Sequence, residues 1–145
     1  MNEYDKDLYF VAVKLFVRDG DKLLITHDIF GSWDLPGGRI KKDEFNAPLL
    51  SVIKRKMSEE LGADFAYEVG DPVVFFKVER HERGLDNQKV RIFAVGYDAS
   101  YKGGHIELGK HHDKFEWVDL AAFKPADYFT GGWLVGVQEY LDILR

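Results

Sequence analysis

Residues 32–63 of the chain read SWDLPGGRIKKDEFNAPLLSVIKRKMSEELGA, and the rest of the chain is arranged around this stretch. Pro36 fixes its own φ and biases the residue before it toward an extended backbone. Gly37 and Gly38 allow a tight turn and let the backbone approach a ligand closely. The stretch therefore predicts a short strand followed by a glycine turn that can lie against a ligand.

A helix is predicted after this turn, from about residue 47 to residue 61. Asn46 is its predicted N-cap, Pro48 is tolerated in its first turn, and Gly62 occupies the position where a left-handed residue commonly ends a helix. Apolar residues at helical spacing predict one buried face. The residues of this face are Leu50, Ile53, Met57 and Leu61.

Two adjacent carboxylates, Glu59 and Glu60, lie beside the apolar face of this helix. Like charges near a buried surface are unfavourable unless a cation compensates them, and carboxylate oxygens suit Mg²⁺ or Mn²⁺. The alternative is a solvated glutamate pair near a helix end, which the pair taken alone favours. Lys56 lies three and four residues before the two glutamates, so its ammonium can reach both.

The same stretch resembles the Nudix box, a motif written as Gly, five residues, Glu, seven residues, then Arg-Glu-apolar-any-Glu-Glu-any-Gly-apolar. Gly38 and Glu44 match its first half at the correct spacing. The residues that match its second half are Arg55, Met57, Glu59, Glu60, Gly62 and Ala63. The lead-in at 33–39 is also typical of the family, and residues 111–123 resemble its later strand and the short helix that follows.

Three features depart from the family pattern. Ten residues rather than seven separate Glu44 from Arg55, which lengthens a loop at little energetic cost. Lys56 stands where the family has a metal-binding glutamate. His111 stands where many relatives have a glutamate before the histidine that matches His112.

The lysine at position 56 leaves two interpretations open. In the first, its ammonium takes over part of the charge compensation and weakens metal binding. In the second, Glu59 and Glu60 still hold Mg²⁺ together with a further acid. The candidates for that acid are Glu44, Glu82, Asp86 and Glu107.

The resemblance implies an α/β fold, a Nudix-type α/β/α sandwich with a mixed β-sheet, formed by residues 1–145 as a single domain. It implies hydrolysis of a pyrophosphate bond, by metal-assisted attack of water, in a nucleoside diphosphate linked to another group or in a nucleoside triphosphate. The implied cofactor is Mg²⁺ or Mn²⁺, with Glu59, Glu60 and Gly38 as ligands.

The resemblance also assigns roles to the remaining residues of the site. Arg55 would orient the glutamates through a charge-assisted hydrogen bond, and Glu44 would support the loop or a second ion. The residues implied in catalysis are Glu59, Glu60, Arg55 and Glu44, and those implied in substrate binding are Gly37, Gly38 and Arg39. The composition of the polar loop at 81–88 suits a phosphate and adds Arg83 to the predicted substrate contacts. A second hypothesis, favoured by Lys56 and His111, is a Nudix-like module that binds a nucleotide or nucleotide sugar and hydrolyses it weakly or not at all.

Composition restricts the class of protein. With 46% apolar and 31% charged residues, the 145 residues fit one globular domain. The absence of cysteine excludes a disulfide scaffold and is compatible with a cytoplasmic location, and neither an export signal nor a membrane-spanning apolar run is visible. A formal charge of −5 disfavours nucleic acid polymers and leaves small phosphorylated molecules open as ligands. A homodimer is compatible with the predicted edge strands.

The other segments alternate strand-like runs with turns. Strands are predicted at 9–18, 22–28, 64–69, 72–80, 89–98 and 115–120, with a further short strand within 100–114. A turn or short helix is predicted from Asp119, and the amphipathic pattern of 133–145 predicts a final helix.

Several residues outside the motif also carry predictions. Lys14, Arg18 and His27 are expected to be solvated charges at strand edges, and His111 and His112 to be surface histidines that point to opposite faces. Substrate choice is expected to depend on loops outside the motif. The candidates there for contact with a base are Phe30, Arg83, Tyr101, Tyr128, Phe129 and Trp133.

Overall fold

The computed structural model describes residues 4–145, which form seven strands and two α-helices. The strands are β1 (Phe10–Asp19), β2 (Lys22–Asp28), β3 (Trp33–Asp34), β4 (Gly37–Arg39), β5 (Ala66–Glu82), β6 (Gln88–Gly103) and β7 (His112–Asp119). The helices are α1 (Leu49–Leu61) and α2 (Gly131–Leu144). Short 3₁₀ turns form at Lys42–Glu44, Arg83–Leu85 and Pro125–Asp127.

All seven strands of the described chain belong to one mixed sheet, whose main path runs β3, β2, β1, β6, β5. β1 lies at its centre and runs parallel to β6, with Phe10 opposite Ile92 and Arg18 opposite Ser100. The other edge of β1 pairs antiparallel with β4 at residues 12–14 and with β2 at its end. This central position places the glycine turn, which contains β4, directly against the most buried strand.

One helix covers each face of the sheet, because successive side chains of β1 point to opposite faces. On one face, Leu15 packs in a cluster with Met57 and Leu61 of α1. On the other face, Phe16 stacks on Tyr140 of α2 with ring centroids 4.1 Å apart. The predicted fold class, an α/β/α sandwich with a mixed sheet, is confirmed.

The start of α1 differs from the sequence prediction. The helix begins at Leu49 with Pro48 at the N-cap position, rather than at residue 47 with Asn46 as the cap. Pro48 has an extended backbone (φ −61°, ψ 151°), and a proline disfavours helical geometry in the residue before it. The end of the helix at Leu61 matches the prediction, with Gly62 at φ 87° as its C-cap.

Two strand predictions are wrong. The runs 64–69 and 72–80 form the single strand β5, in which register shifts on either side of Pro72 replace the expected interruption. A bulge accommodates Pro72 because proline cannot donate a ladder hydrogen bond. Residues 104–109 are irregular, so no additional strand forms between the end of β6 at Gly103 and the start of β7 at His112.

Among the helices formed by residues 4–145, none has the length and apolar character required to span a membrane.

Gly136 of α2 provides a test of the packing between helix and sheet. A Cβ at this position would lie 2.5 Å from Cγ of the buried Phe76 ring, which is itself held against Trp133. We expect Gly136→Ala to lower the free energy of unfolding by about 1–3 kcal/mol, despite the higher helix propensity of alanine. Urea unfolding measures this change. Gly84→Ala, where a Cβ would meet nothing within 4 Å, is the control and should be near neutral. Equal stability of the two variants would contradict the packing described.

Candidate active site

Lys14 of β1 is buried beneath the glycine turn, with 5% of its surface exposed. Its Nζ donates to both carboxylate oxygens of Asp34 at 3.1 Å, to the carbonyl of Leu35 at 3.1 Å and to the carbonyl of Gly37 at 3.2 Å. The expectation of a solvated charge is therefore wrong for Lys14. Its burial is tolerated because one carboxylate and two carbonyls surround the ammonium.

Glu60, at the end of α1, connects the helix to the same turn. Its carboxylate accepts a hydrogen bond of 2.9 Å from the Gly37 N–H, and 8% of the surface of Glu60 is exposed. Burial raises the pKa of Glu60, the Lys14 ammonium opposes this shift, and the Asp34 carboxylate adds to it. Glu60 therefore lies at the junction of helix, turn and sheet.

The two glycines of the turn lie against different neighbours. Gly37 has a φ of +125°, and a Cβ there would lie 2.1 Å from the carbonyl oxygen of Val13. A Cβ on Gly38 would lie 2.4 Å from Cε of Lys56, so the lysine stem rests directly on the glycine backbone. Close approach of the turn to β1 requires the first glycine, whereas a Cβ at the second would displace the end of the Lys56 side chain.

Arg55 of α1 binds the loop that joins β4 to α1. Its Nε and Nη2 donate to the two carboxylate oxygens of Glu44 at 2.8 and 2.7 Å, and Nη2 also donates to the Arg39 carbonyl at 3.1 Å. Its Nη1 donates to Glu59 at 3.2 Å. The Arg55 hydrogen bonds and the Lys41 N–H lower the pKa of Glu44 to about 2. Glu44 is therefore ionised at neutral pH and bound to Arg55.

The ammonium of Lys56 lies between the two adjacent glutamates. Its Nζ is 3.4 Å from Oε2 of Glu59 and 3.6 Å from Oε2 of Glu60. Burial raises the pKa of Glu59, but Arg55 and Lys56 outweigh this effect and lower it overall. Lys56 thus reaches both carboxylates, as its spacing predicts, and Glu59 remains an ionised, half-exposed group.

A cavity of about 710 Å³ opens beside these groups. Its basic lining residues are Lys14, Arg39, Lys56, Arg80 and Lys110. Its acidic lining residues are Asp28, Asp34, Glu59 and Glu60. We call this space the charged cavity. Its lining carries an excess of one basic residue, whereas the whole chain has a formal charge of −5.

A second cavity of about 480 Å³ adjoins the charged cavity. The residues that border both are Asp28, Phe30, Asp34, Arg80 and Trp133. Trp33 and Tyr128 also line the second space, with ring centroids 5.2 Å apart, and the Arg83 guanidinium lies 3.9 Å from the centroid of the Phe30 ring. We call this space the aromatic cleft. Its rings and guanidinium offer flat surfaces on which a base can stack.

Not every predicted base contact lies at this cleft. Phe30, Arg83, Tyr128, Phe129 and Trp133 line it. Tyr101 instead packs on the α1 side of the sheet, with its ring centroid 5.2 Å from Trp117. The position in β6 points its side chain to the opposite face, so Tyr101 is excluded from the aromatic cleft.

His111 and His112 both border the charged cavity. His111 is exposed, but His112 is buried, which corrects the expectation of a surface residue. The segment before β7 turns toward α1, where the Gly109 N–H donates to the Glu60 carbonyl at 3.1 Å. Within residues 4–145 the buried Nδ1 of His112 has no hydrogen-bond partner.

The loop acids proposed as additional metal ligands do not join Glu59 and Glu60. Glu82 forms an ion pair with Arg39, and Glu107 packs against Gly62 at the end of α1. Asp86 lies in a tight turn with φ 51° and does not line the charged cavity. Across residues 4–145, no group of three or more histidine, aspartate or glutamate residues is placed to hold a metal ion.

The residues that the motif singled out lie close together. Gly37, Gly38, Arg39, Glu59 and Glu60 all line the charged cavity. Arg55 and Glu44 support it from outside through the hydrogen bonds described above, and Arg83 lines the aromatic cleft.

Other residues of the charged cavity were missed by sequence analysis. These are Asp34, Arg80 and Lys110, together with the buried Lys14. A signal for Lys14 exists, because it lies between Ala12 and Phe16 in an otherwise apolar run of a central strand. Arg80 and Lys110 carry no such signal, since each lies in a charged segment that also suits a solvent-exposed surface.

Comparison with known structures supports the same fold. The MutT protein from Methanosarcina mazei Go1 is 22% identical with a TM-score of 0.71, over 97% of this chain and 95% of that chain. An ADP-ribose pyrophosphatase from Streptococcus suis 89-1591 is 16% identical with a TM-score of 0.66, over 95% and 93% of the two chains. The dihydroneopterin triphosphate pyrophosphohydrolase of E. coli is 13% identical with a TM-score of 0.67, over 94% and 99%. At these identities the similarity shows the fold.

No curated protein sequence matches the chain. The family model described as the NUDIX domain matches residues 8–133, which include the glycine turn, α1 and the strands that form the charged cavity. The chain therefore belongs to the Nudix family of pyrophosphate hydrolases.

Proposed function

We propose that the chain hydrolyses a pyrophosphate bond in a small nucleotide, either a nucleoside diphosphate linked to another group or a nucleoside triphosphate. The observation that supports this most directly is the pair of adjoining spaces. The charged cavity offers an excess of basic groups to the phosphates, and the aromatic cleft offers rings to the nucleoside. Both are within reach of one extended ligand because they share a border of five residues.

In the proposed reaction, water attacks one phosphorus of the diphosphate and the bridging phosphorus–oxygen bond breaks, so that two phosphate products leave. Glu59 can accept the proton of the attacking water, because it is ionised at neutral pH and borders the charged cavity. Arg80, Lys56 and Lys110 can stabilise the negative charge on the phosphate oxygens. Arg55 holds Glu59 in position and does not line the cavity itself.

Nudix hydrolases generally use a divalent cation such as Mg²⁺ or Mn²⁺. The donors in this chain fit a resident ion poorly. Glu59 and Glu60 supply carboxylate oxygens, but the Lys56 ammonium already lies between them, and no third acidic or histidine ligand within residues 4–145 completes the group. Binding of Mg²⁺ to Glu59, Glu60 and Gly38 therefore stays a prediction, and the chemistry proposed above depends on the chain's own charges.

A second candidate function is a module that binds a nucleotide or nucleotide sugar without hydrolysing it efficiently. The observation that favours it is the position of Lys56, which replaces a carboxylate by an ammonium beside Glu59 and Glu60. Both candidate functions require the charged cavity to accept phosphates. They differ in whether bond cleavage follows.

The first test of the proposed function is a substitution that changes the charge at position 56. The wild-type chain should cleave nucleoside diphosphate derivatives or triphosphates slowly in Mg²⁺. Lys56→Glu should raise kcat by about tenfold, equivalent to lowering the barrier by about 1.4 kcal/mol, because it restores a carboxylate ligand. It should also lower the Mg²⁺ concentration that gives half the maximal rate. Chromatographic measurement of the nucleotide products across a Mg²⁺ titration gives both quantities.

Lys54→Glu provides the matched control, because Lys54 lies on the same helix, is exposed and does not line the charged cavity. It changes the net charge by the same amount and should behave as wild type. If the wild-type chain binds nucleotides but does not cleave them at any Mg²⁺ or Mn²⁺ concentration, and only Lys56→Glu hydrolyses them, the binding module is the correct function.

The second test concerns the nucleoside. Stacking of a base on an aromatic side chain contributes about 1–3 kcal/mol, so Phe30→Ala should raise KM for a nucleotide by about tenfold with little change in kcat. Steady-state kinetics measure KM and kcat separately. Phe45→Ala, which removes an 89% exposed ring remote from the aromatic cleft, is the control. An unchanged KM in Phe30→Ala would show that the base binds elsewhere.

A further inference from the structure

We propose that the charged cavity binds a diphosphate without a divalent cation, because the Lys56 ammonium supplies the positive charge that an ion would otherwise bring to Glu59 and Glu60. The inference rests on the proposed function only for the chemical class of the ligand. It goes beyond that function because it states that binding of the diphosphate does not require a metal ion.

The first observation concerns the packing of the Lys56 side chain. Its stem packs on Gly38, where a Cβ would lie 2.4 Å from its Cε and 3.0 Å from its Cδ. Its side chain is 20% exposed, and its Nζ forms ion pairs with Glu59 and Glu60. An ammonium has three N–H donors. At 3.4 and 3.6 Å both ion pairs are longer than a normal hydrogen bond, so the ammonium keeps N–H donors for a phosphate oxygen in the charged cavity.

The second observation is the sign of the charge on the cavity lining. Five basic and four acidic residues line the charged cavity. With glutamate at position 56 the lining would have four basic and five acidic residues, and a polyanion would then need an added cation. The charge at position 56 therefore changes the lining from an excess of one basic residue to an excess of one acidic residue.

The third observation identifies which other cations are available to the ligand. Arg55 is engaged by Glu44, Glu59 and the Arg39 carbonyl, and Arg39 itself is paired with Glu82. Lys14 is engaged beneath the turn. Arg80 and Lys110 remain. Within residues 4–145 neither forms an ion pair. Together with Lys56 they form a group of cations that can bind phosphate oxygens directly.

The experiment is isothermal titration of the full chain with inorganic pyrophosphate, first in EDTA and then in Mg²⁺. The wild-type chain should bind pyrophosphate in EDTA, and Mg²⁺ should not strengthen the binding. Lys56→Glu should weaken binding in EDTA by at least about tenfold and should regain it in Mg²⁺. Lys56→Gln, which removes the charge without adding a ligand, should be weak under both conditions.

Lys54→Glu is again the matched control and should bind pyrophosphate as the wild-type chain does in both buffers. Circular dichroism and the melting temperature of each variant confirm that loss of binding is not loss of folding. If the wild-type chain binds pyrophosphate only when Mg²⁺ is present, or if Lys56→Glu binds as tightly as wild type in EDTA, the inference is overturned.

The outcomes also separate this inference from the proposed function. Binding in EDTA without cleavage of nucleotides in any metal supports the inference and removes the hydrolase. Metal-dependent binding together with cleavage of nucleotides supports the hydrolase and overturns the inference.

Discussion

The hydrogen bond from the Gly37 N–H to the buried Glu60 carboxylate is the interaction on which the site depends. A buried carboxylate is unfavourable unless it is hydrogen-bonded and balanced by charge. Here the N–H of the turn supplies the hydrogen bond, and Lys14 and Lys56 supply positive charge on either side. Helix, turn and central strand are therefore held in one arrangement. Loss of any of these partners would reduce the compensation of the buried charge.

Local pattern was enough to predict the parts of the fold that depend on neighbouring residues. The spacing of Ile53, Met57 and Leu61 together with Gly62 predicted the body and end of α1, although Leu50 of the predicted apolar face is 60% exposed. The β-branched and aromatic run at 9–18 predicted the strand β1. The spacing of Lys56 predicted its contacts with both glutamates because those contacts lie within one helical turn. The exact start of α1 was missed. A proline is tolerated in the first turn of a helix, but it also keeps the residue before it extended.

Features that depend on the path of distant segments could not be predicted. His112 and Lys110 border the charged cavity because the irregular segment before β7 hydrogen-bonds to the end of α1, and sequence spacing does not encode that contact. The aromatic cleft likewise brings together residues from the loop after β2, the loop after β5 and the start of α2. Phe30 and Arg83 are far apart in sequence, although their side chains stack.

Lys56 separates two properties that a metal ion usually combines. A divalent ion both attracts phosphate oxygens and acts as a Lewis acid that activates water. A tethered ammonium retains the attraction, because its charge is fixed between Glu59 and Glu60, but it cannot coordinate and acidify a water molecule. Strong binding of a diphosphate is therefore compatible with slow cleavage in the same cavity. In the proposed reaction the rate of cleavage then depends on how well Glu59 accepts the proton of the attacking water, beside the position where lysine replaces the glutamate of the motif.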